Sequence, residues 1–156
     1  MRQAARGCTV AVLSAGLCAL LPATAAAVCQ LNPVVGLHFV NYLSTSTQPL
    51  DTQGSVSYRC EGHFTPITID LSAGGASSAL SRRMVGPSSS TLSYNLYLDA
   101  ARTLIWGNGL SGTSRYGPVL PVNSVDVVVP VHGRIPAGQT IPAGSYSDTV
   151  VVTFTF

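Results

Sequence analysis

The chain has 156 residues, a formal net charge of +2 and only 9% charged residues, against roughly 25% in a typical globular domain. Its hydrophobic content of 46% excludes an intrinsically disordered chain, and the small charge gives no basic surface for nucleic acid. All eight basic residues are arginine, so lysine chemistry is excluded as well. The length predicts one domain with an appended segment.

Residues 1–27 have the pattern of a secretory signal peptide. Two arginines begin the segment, an uncharged apolar run follows from Cys8 to Leu21, and small residues come next. The apolar run is shorter than the about 20 residues that a membrane-spanning helix needs, which disfavours a membrane anchor as the alternative. We expect cleavage before Val28, or alternatively after Ala25, and therefore export without a membrane anchor.

Removal of residues 1–27 leaves a domain of 129 residues, 28–156, with no net charge and two cysteines, Cys29 and Cys60. Two cysteines in an exported protein are most simply one disulfide. The alternative is a pair of free thiols or a metal pair, although no other ligand cluster accompanies them. A disulfide closing this loop is expected to stabilise the fold by about 3–4 kcal/mol.

Apolar and polar residues alternate with a period of two along much of the mature chain, which is typical of half-buried β-strands. The alternating stretches are 55–60, 67–72, 92–98, 125–132 and 149–156, with a less regular one at 31–39. Glycine, serine, proline and asparagine separate them, and no stretch has a helical period. This pattern predicts an all-β fold, a β-sandwich. Pro130 lies within one stretch, so that strand is expected at a sheet edge or with a bulge.

No catalytic signature is present: the sequence lacks a nucleophile elbow, a phosphate-binding loop and a dinucleotide fingerprint. The three histidines, His38, His63 and His132, are far apart and lack the spacing of metal ligands. We therefore predict that the protein is not an enzyme and uses neither a cofactor nor a metal.

Two further features have a structural and a functional interpretation. Arg82 and Arg83 are interpreted as solvated arginines beside a strand, the alternative being contact with an anionic surface. Trp106 is interpreted as a core or hairpin residue, the alternative being an exposed aromatic patch with Tyr116.

Seven blocks follow Cys29 in a fixed order and cover nearly all of residues 29–156. They are Val56–Cys60, Ile67–Gly75, Arg83-Met84, Tyr94–Thr103, Trp106–Gly109, Gly133–Gln139 and Ala143–Thr149. Together they resemble the spore coat protein U domain family, which includes subunits of archaic chaperone–usher pili. The most specific block is Tyr94–Thr103.

The resemblance implies an immunoglobulin-like β-sandwich that lacks its last strand, so that an apolar groove is open to a strand from another protein. The implied partners are a periplasmic pilus chaperone, an outer-membrane usher and other pilus subunits. The implied route is through the periplasm to the cell surface or the exterior, with roles in adhesion and biofilm formation.

The last alternating stretch supplies apolar side chains for one wall of such a groove, and the first stretch supplies the opposite wall. Six residues are expected to border it: Val150, Val152, Phe154, Phe156, Leu37 and Phe39. The short segment before Cys29 predicts a subunit that accepts a strand but does not donate one. The carboxylate of Phe156 is expected to be an anchor for basic chaperone residues.

The alternative is a self-complete secreted β-sandwich with an adhesive, coat-matrix or ligand-binding role. It would bind through exposed loops, for which the sequence offers residues 72–81 and 106–116. An unfilled groove beside the last strand would count against this alternative.

Overall fold

The computed structural model describes residues 27–156, so the predicted signal peptide lies, except for Ala27, outside the described residues. The described part contains two three-residue 3₁₀ helices, Ala79–Ser81 and Pro87–Ser89, and neither is long enough to cross a membrane. Its strands are β1 (Val28–Leu31), β2 (Leu50–Glu61), β3 (Ile67–Leu71), β4 (Arg83–Val85), β5 (Thr91–Ser93), β6 (Asn95–Tyr97), β7 (Tyr116–Val119), β8 (Asp126–Ile135) and β9 (Val152–Thr155).

The strands form two main antiparallel sheets and a small hairpin. One sheet has the order β1-β2-β8-β6, the other has the order β7-β3-β9, and β4 pairs with β5. Buried side chains from both sheets meet in one hydrophobic core, in which Tyr58 of β2 contacts Tyr116 of β7 and Phe154 of β9. The prediction of an all-β fold is confirmed.

The disulfide joins Cys29 of β1 to Cys60 of β2, which lie directly opposite each other in the sheet. Both cysteines are buried, with exposed fractions of 5% and 0%. The bond therefore fixes β1, at the edge of the larger sheet, to β2, the longest of the described strands.

Trp106 is fully buried, and its indole N–H donates a hydrogen bond of 2.9 Å to the carbonyl of Ile69. Its ring also lies beside that of Tyr116, at a centroid distance of 6.3 Å. The interpretation as a core residue is confirmed, and an exposed aromatic patch built on this tryptophan is excluded.

Arg82 is fully buried, so its interpretation as a solvated residue is wrong, whereas Arg83 is exposed. The Arg82 guanidinium donates hydrogen bonds to the carbonyls of Leu71, Ser72 and Trp106 and to the side-chain oxygen of Asn95. Burial lowers its pKa from the ordinary value. The sequence pattern could not reveal this, since these carbonyls converge only in the folded chain.

Pro130 lies in β8, an inner strand of the larger sheet, opposite Ser55 of β2. The N–H and C=O of Ser55 both bond to Val35 on its other side, so the Ser55–Pro130 pair exchanges no ladder hydrogen bonds. β6 pairs with β8 only over residues 132–134, which leaves the far side of Pro130 unpaired. Pro130 therefore lies at a local sheet edge, as expected, although β8 is an internal strand where it also pairs with β6.

Candidate functional site

An apolar cavity of about 540 Å³ opens between the two main sheets. Residues 34–39, which follow β1, form one wall, and residues 146–152, which lead into β9, form the other. We call this cavity the edge groove, because each wall is a chain segment at the edge of a sheet. Its volume lies within the range of ligand-binding cavities in proteins.

The first wall is held against β2 and β8. Val35 and Ser55 exchange two backbone hydrogen bonds of 3.0 Å, which continue the β1–β2 edge beyond the named strand. The half-buried Leu37 and Phe39 then lie over Gly133 of β8. A Cβ atom at Gly133 would collide with the Leu37 side chain and come within 2.8 Å of Phe39, so glycine is needed there for the wall to pack.

The second wall presents unpaired backbone groups. The Ser72 N–H donates to the Val151 carbonyl at 2.9 Å, and the β3–β9 register places the other odd-numbered residues of β9 in the same bonding relation to β3. Because ladder bonds alternate along an antiparallel strand, the N–H and C=O groups of Val150, Val152 and Phe154 point away from β3. Among residues 27–156 no strand pairs with that side of β9.

Buried apolar side chains from both sheets form the floor of the edge groove. The chief ones are Val56, Leu71, Leu96 and Val131, whose exposed fractions are at most 4%. Both main sheets thus contribute to the edge groove, and its open side runs along the unpaired edge of β9. An extended chain laid along this edge would point alternate side chains into the edge groove.

One polar pair lies in this lining, and it is satisfied internally. The Tyr94 hydroxyl donates to Asp148 Oδ2 at 2.7 Å, and the Gly75 N–H donates to Asp148 Oδ1 at 2.9 Å. Burial, and secondarily the bond to Asp148, raises the pKa of Tyr94, so its hydroxyl stays protonated. Both oxygens of the Asp148 carboxylate thus accept hydrogen bonds from neutral donors. The described residues contain no cluster of three or more His, Cys, Asp or Glu suited to a metal.

The structure brings four of the six predicted groove residues to the cavity: Leu37, Phe39, Val150 and Val152. Phe154 packs instead on Tyr58, with ring centroids 5.4 Å apart. Phe156 is 55% exposed and packs against His63, with ring centroids 5.7 Å apart. Phe154, in β9, and Phe156, directly after β9, thus lie beyond the end of the cavity.

The floor residues were missed by reasoning from the sequence. Val56, Leu96 and Val131 occupy inward positions of predicted strands, so their burial is visible in the period-two pattern. That pattern does not show which inward residues lie under a gap between sheet edges, because the gap depends on how distant strands pair.

The family model of the Spore Coat Protein U domain matches residues 15–153 of this chain. Protein U of Myxococcus xanthus is 40% identical to it over 112 residues. That alignment covers 66% of this chain and 59% of protein U, so the chain spans about three fifths of the length of this curated relative.

A solved structure shares the fold. It is the crystal structure of the CsuC–CsuE chaperone–tip adhesion subunit pre-assembly complex from the archaic chaperone–usher Csu pili of Acinetobacter baumannii. The similarity has a TM-score of 0.55 at 23% identity, over 84% of this chain and 40% of the solved chain. At this identity the likeness is one of fold.

Proposed function

The chain belongs to the Spore Coat Protein U domain family, and from this membership we propose that it is an exported structural subunit of a cell-surface pilus or coat. The edge groove is its assembly site and receives a β-strand from another protein. The strand comes first from a periplasmic chaperone and later from a neighbouring subunit, delivered at an outer-membrane usher. Adhesion and biofilm formation are the proposed roles of the assembled structure.

The observation that carries this proposal is the coincidence of an apolar trough with an unpaired strand edge. An added strand would bond to the outward backbone groups of Val150 and Val152, and its alternate side chains would cover Val56, Leu96 and Val131. Each buried methylene contributes roughly 0.8 kcal/mol, so a few apolar side chains supply considerable affinity.

The same geometry supports a need for a chaperone. An unpaired edge beside exposed apolar surface is a template for uncontrolled pairing between chains. Temporary cover by a chaperone strand would protect the subunit until another subunit takes its place. The solved structure that shares the fold is itself that of a chaperone–tip adhesion subunit pre-assembly complex.

The test is co-expression of the full chain with a cognate periplasmic pilus chaperone, followed by purification of the chaperone. We expect the wild-type chain to co-purify. Val150→Asp places a carboxylate in the edge groove and should abolish capture, because the charge would have to be buried without a partner. Val151→Asp is the matched control: it changes the next residue, whose side chain is 59% exposed, and should leave capture intact.

Two results would contradict the proposal. Equal capture of Val150→Asp and the wild type would show that the strand does not enter the edge groove. A wild-type chain that is a stable monomer and ignores the chaperone would favour a self-complete sandwich. Circular dichroism of both variants distinguishes loss of capture from loss of folding.

A further inference from the structure

A second cavity lies on the other face of β9. It has a volume of about 420 Å³ and is bordered by residues 72–79 and 108–113, together with Val151 and Thr153. We call it the loop groove. The two loops that the sequence offers for ligand binding, 72–81 and 106–116, thus converge around one cavity although 25 positions separate residue 81 from residue 106.

Neutral polar side chains dominate the rim of the loop groove. Ser77, Ser111 and Thr153 each contribute a hydroxyl, and Asn108 contributes an amide. Among residues 27–156, no protein hydrogen bond engages these three hydroxyls or the amide nitrogen of Asn108, whose oxygen accepts from the Leu110 N–H at 3.1 Å. The rim therefore presents both donors and acceptors to a ligand.

The loop groove carries no net charge. Asp70 is its only ionisable lining residue, and Arg115 binds both oxygens of that carboxylate in a bidentate pair, with its Nε at 2.9 Å from Oδ1. A charged ligand would thus find no free opposite charge. A purely apolar ligand would desolvate the hydroxyl groups without giving them partners.

Buried Arg82 fixes the bases of both loops at once. Its Nη2 donates to the carbonyls of Leu71 and Ser72, where the first loop begins, and to the carbonyl of Trp106, where the second begins, at distances of 3.2, 2.6 and 2.7 Å. The Leu71 N–H also donates to the Gly107 carbonyl at 3.0 Å. The walls of the loop groove are therefore preorganised, which reduces the entropy lost when a ligand binds.

We propose that the loop groove binds a neutral saccharide. Sugars match it on each count: they are uncharged, they offer alternating donor and acceptor hydroxyls, and their C–H faces can lie on Leu110 and Ala73 at the walls. The volume suits a small-molecule ligand. This site is separate from the edge groove: along β9 and the two residues before it, Val151 and Thr153 line the loop groove, whereas Val150 and Val152 line the edge groove on the opposite face.

Isothermal titration of the chaperone-bound full chain with neutral hexasaccharides tests the proposal. The probes are cellohexaose, maltohexaose and N-acetylchitohexaose, with hexagalacturonic acid as the anionic comparison. We expect at least one neutral probe to bind and the anionic one to bind at least about tenfold more weakly. Thr153→Val and Ser77→Ala should each weaken binding about three- to tenfold through the loss of one hydrogen bond.

Thr155→Val is the matched control, because Thr155 is also exposed on the outer face of β9 but does not line the loop groove. It should change affinity less than about twofold. Absence of binding by all three neutral probes at millimolar concentration would overturn the proposal. Binding that Thr153→Val and Ser77→Ala leave unchanged, or that equals binding of the anionic probe, would overturn it too.

Discussion

Arg82 shows how a single residue can connect parts of the chain that are distant in the sequence. Its guanidinium bonds to backbone carbonyls at residues 71, 72 and 106 and to the side chain of Asn95. These acceptors are carbonyl and amide oxygens, so the planar fork of the guanidinium satisfies several buried groups with one side chain. The exposed neighbour Arg83 has the same chemistry and none of this burial.

Replacing Arg82 by lysine should destabilise the fold by more than about 2 kcal/mol, because an ammonium cannot reach all of these acceptors and leaves buried carbonyls unpaired. The free energy of unfolding from urea titration measures this loss. Arg83→Lys is the matched control and should stay within about 0.5 kcal/mol of the wild type. Equal stabilities of the two variants would contradict the importance of the buried guanidinium.

Asp99 predicts a pH dependence. Hydrogen bonds from the Leu104 N–H, and then from Thr103, hold its pKa below the ordinary value of 3.8. A depressed pKa means that the stabilisation is complete above the ordinary value and is lost as the pH falls through the folded-state value.

We therefore expect Asp99→Asn to lower the melting temperature at about pH 7. The difference in melting temperature between variant and wild type should shrink as the pH falls below 3.8. Thermal melts followed by circular dichroism over that range measure this difference. A difference that stays constant down to about pH 2 would show that the carboxylate charge contributes nothing.

At the scale of elements, β9 has two distinct sides. Its odd-numbered residues bond to β3 and point their side chains outward, whereas its even-numbered residues point inward and direct their backbone groups to the open edge. A proline, which lacks an N–H, should therefore be tolerated differently at adjacent positions.

Thr153→Pro removes an N–H that bonds to β3, whereas Val152→Pro removes one that points to the open edge. We expect Thr153→Pro to be the more destabilising by about 1–2 kcal/mol, measured by urea unfolding. Val152→Pro should instead lose chaperone capture while the domain remains folded. The reverse order of stabilities would show that the assignment of the β9 edge is wrong.

Most strands were predictable because alternation survives wherever one face of a strand is buried. β2, β3, β8 and β9 overlap predicted stretches, whereas the stretch 92–98 is divided between β5 and β6. β7, Tyr116–Val119, contains a glycine and a proline and has no alternation that would predict it. The site was predictable only at its walls, because its floor depends on pairing between distant strands.

At the scale of the whole molecule, the disulfide ties the N-terminal edge of the larger sheet to its longest strand. The bond spans 31 positions, and Cys60→Ser should lower the free energy of unfolding by about 3–4 kcal/mol. Thermal melts with and without reductant measure it. The reductant should lower the melting temperature of the wild type and leave that of Cys60→Ser unchanged; the same shift in both proteins would contradict the assignment.

The two-sided character of β9 also bears on how such a domain can diversify. Val150 and Val152 line the edge groove, whereas Val151 and Thr153 face the loop groove. Mutations at alternate positions can therefore change one of these two surfaces while the other stays constant. The arrangement depends on the strand register. An insertion or deletion of one residue before β9 would exchange the side chains of the two faces and disrupt both grooves together.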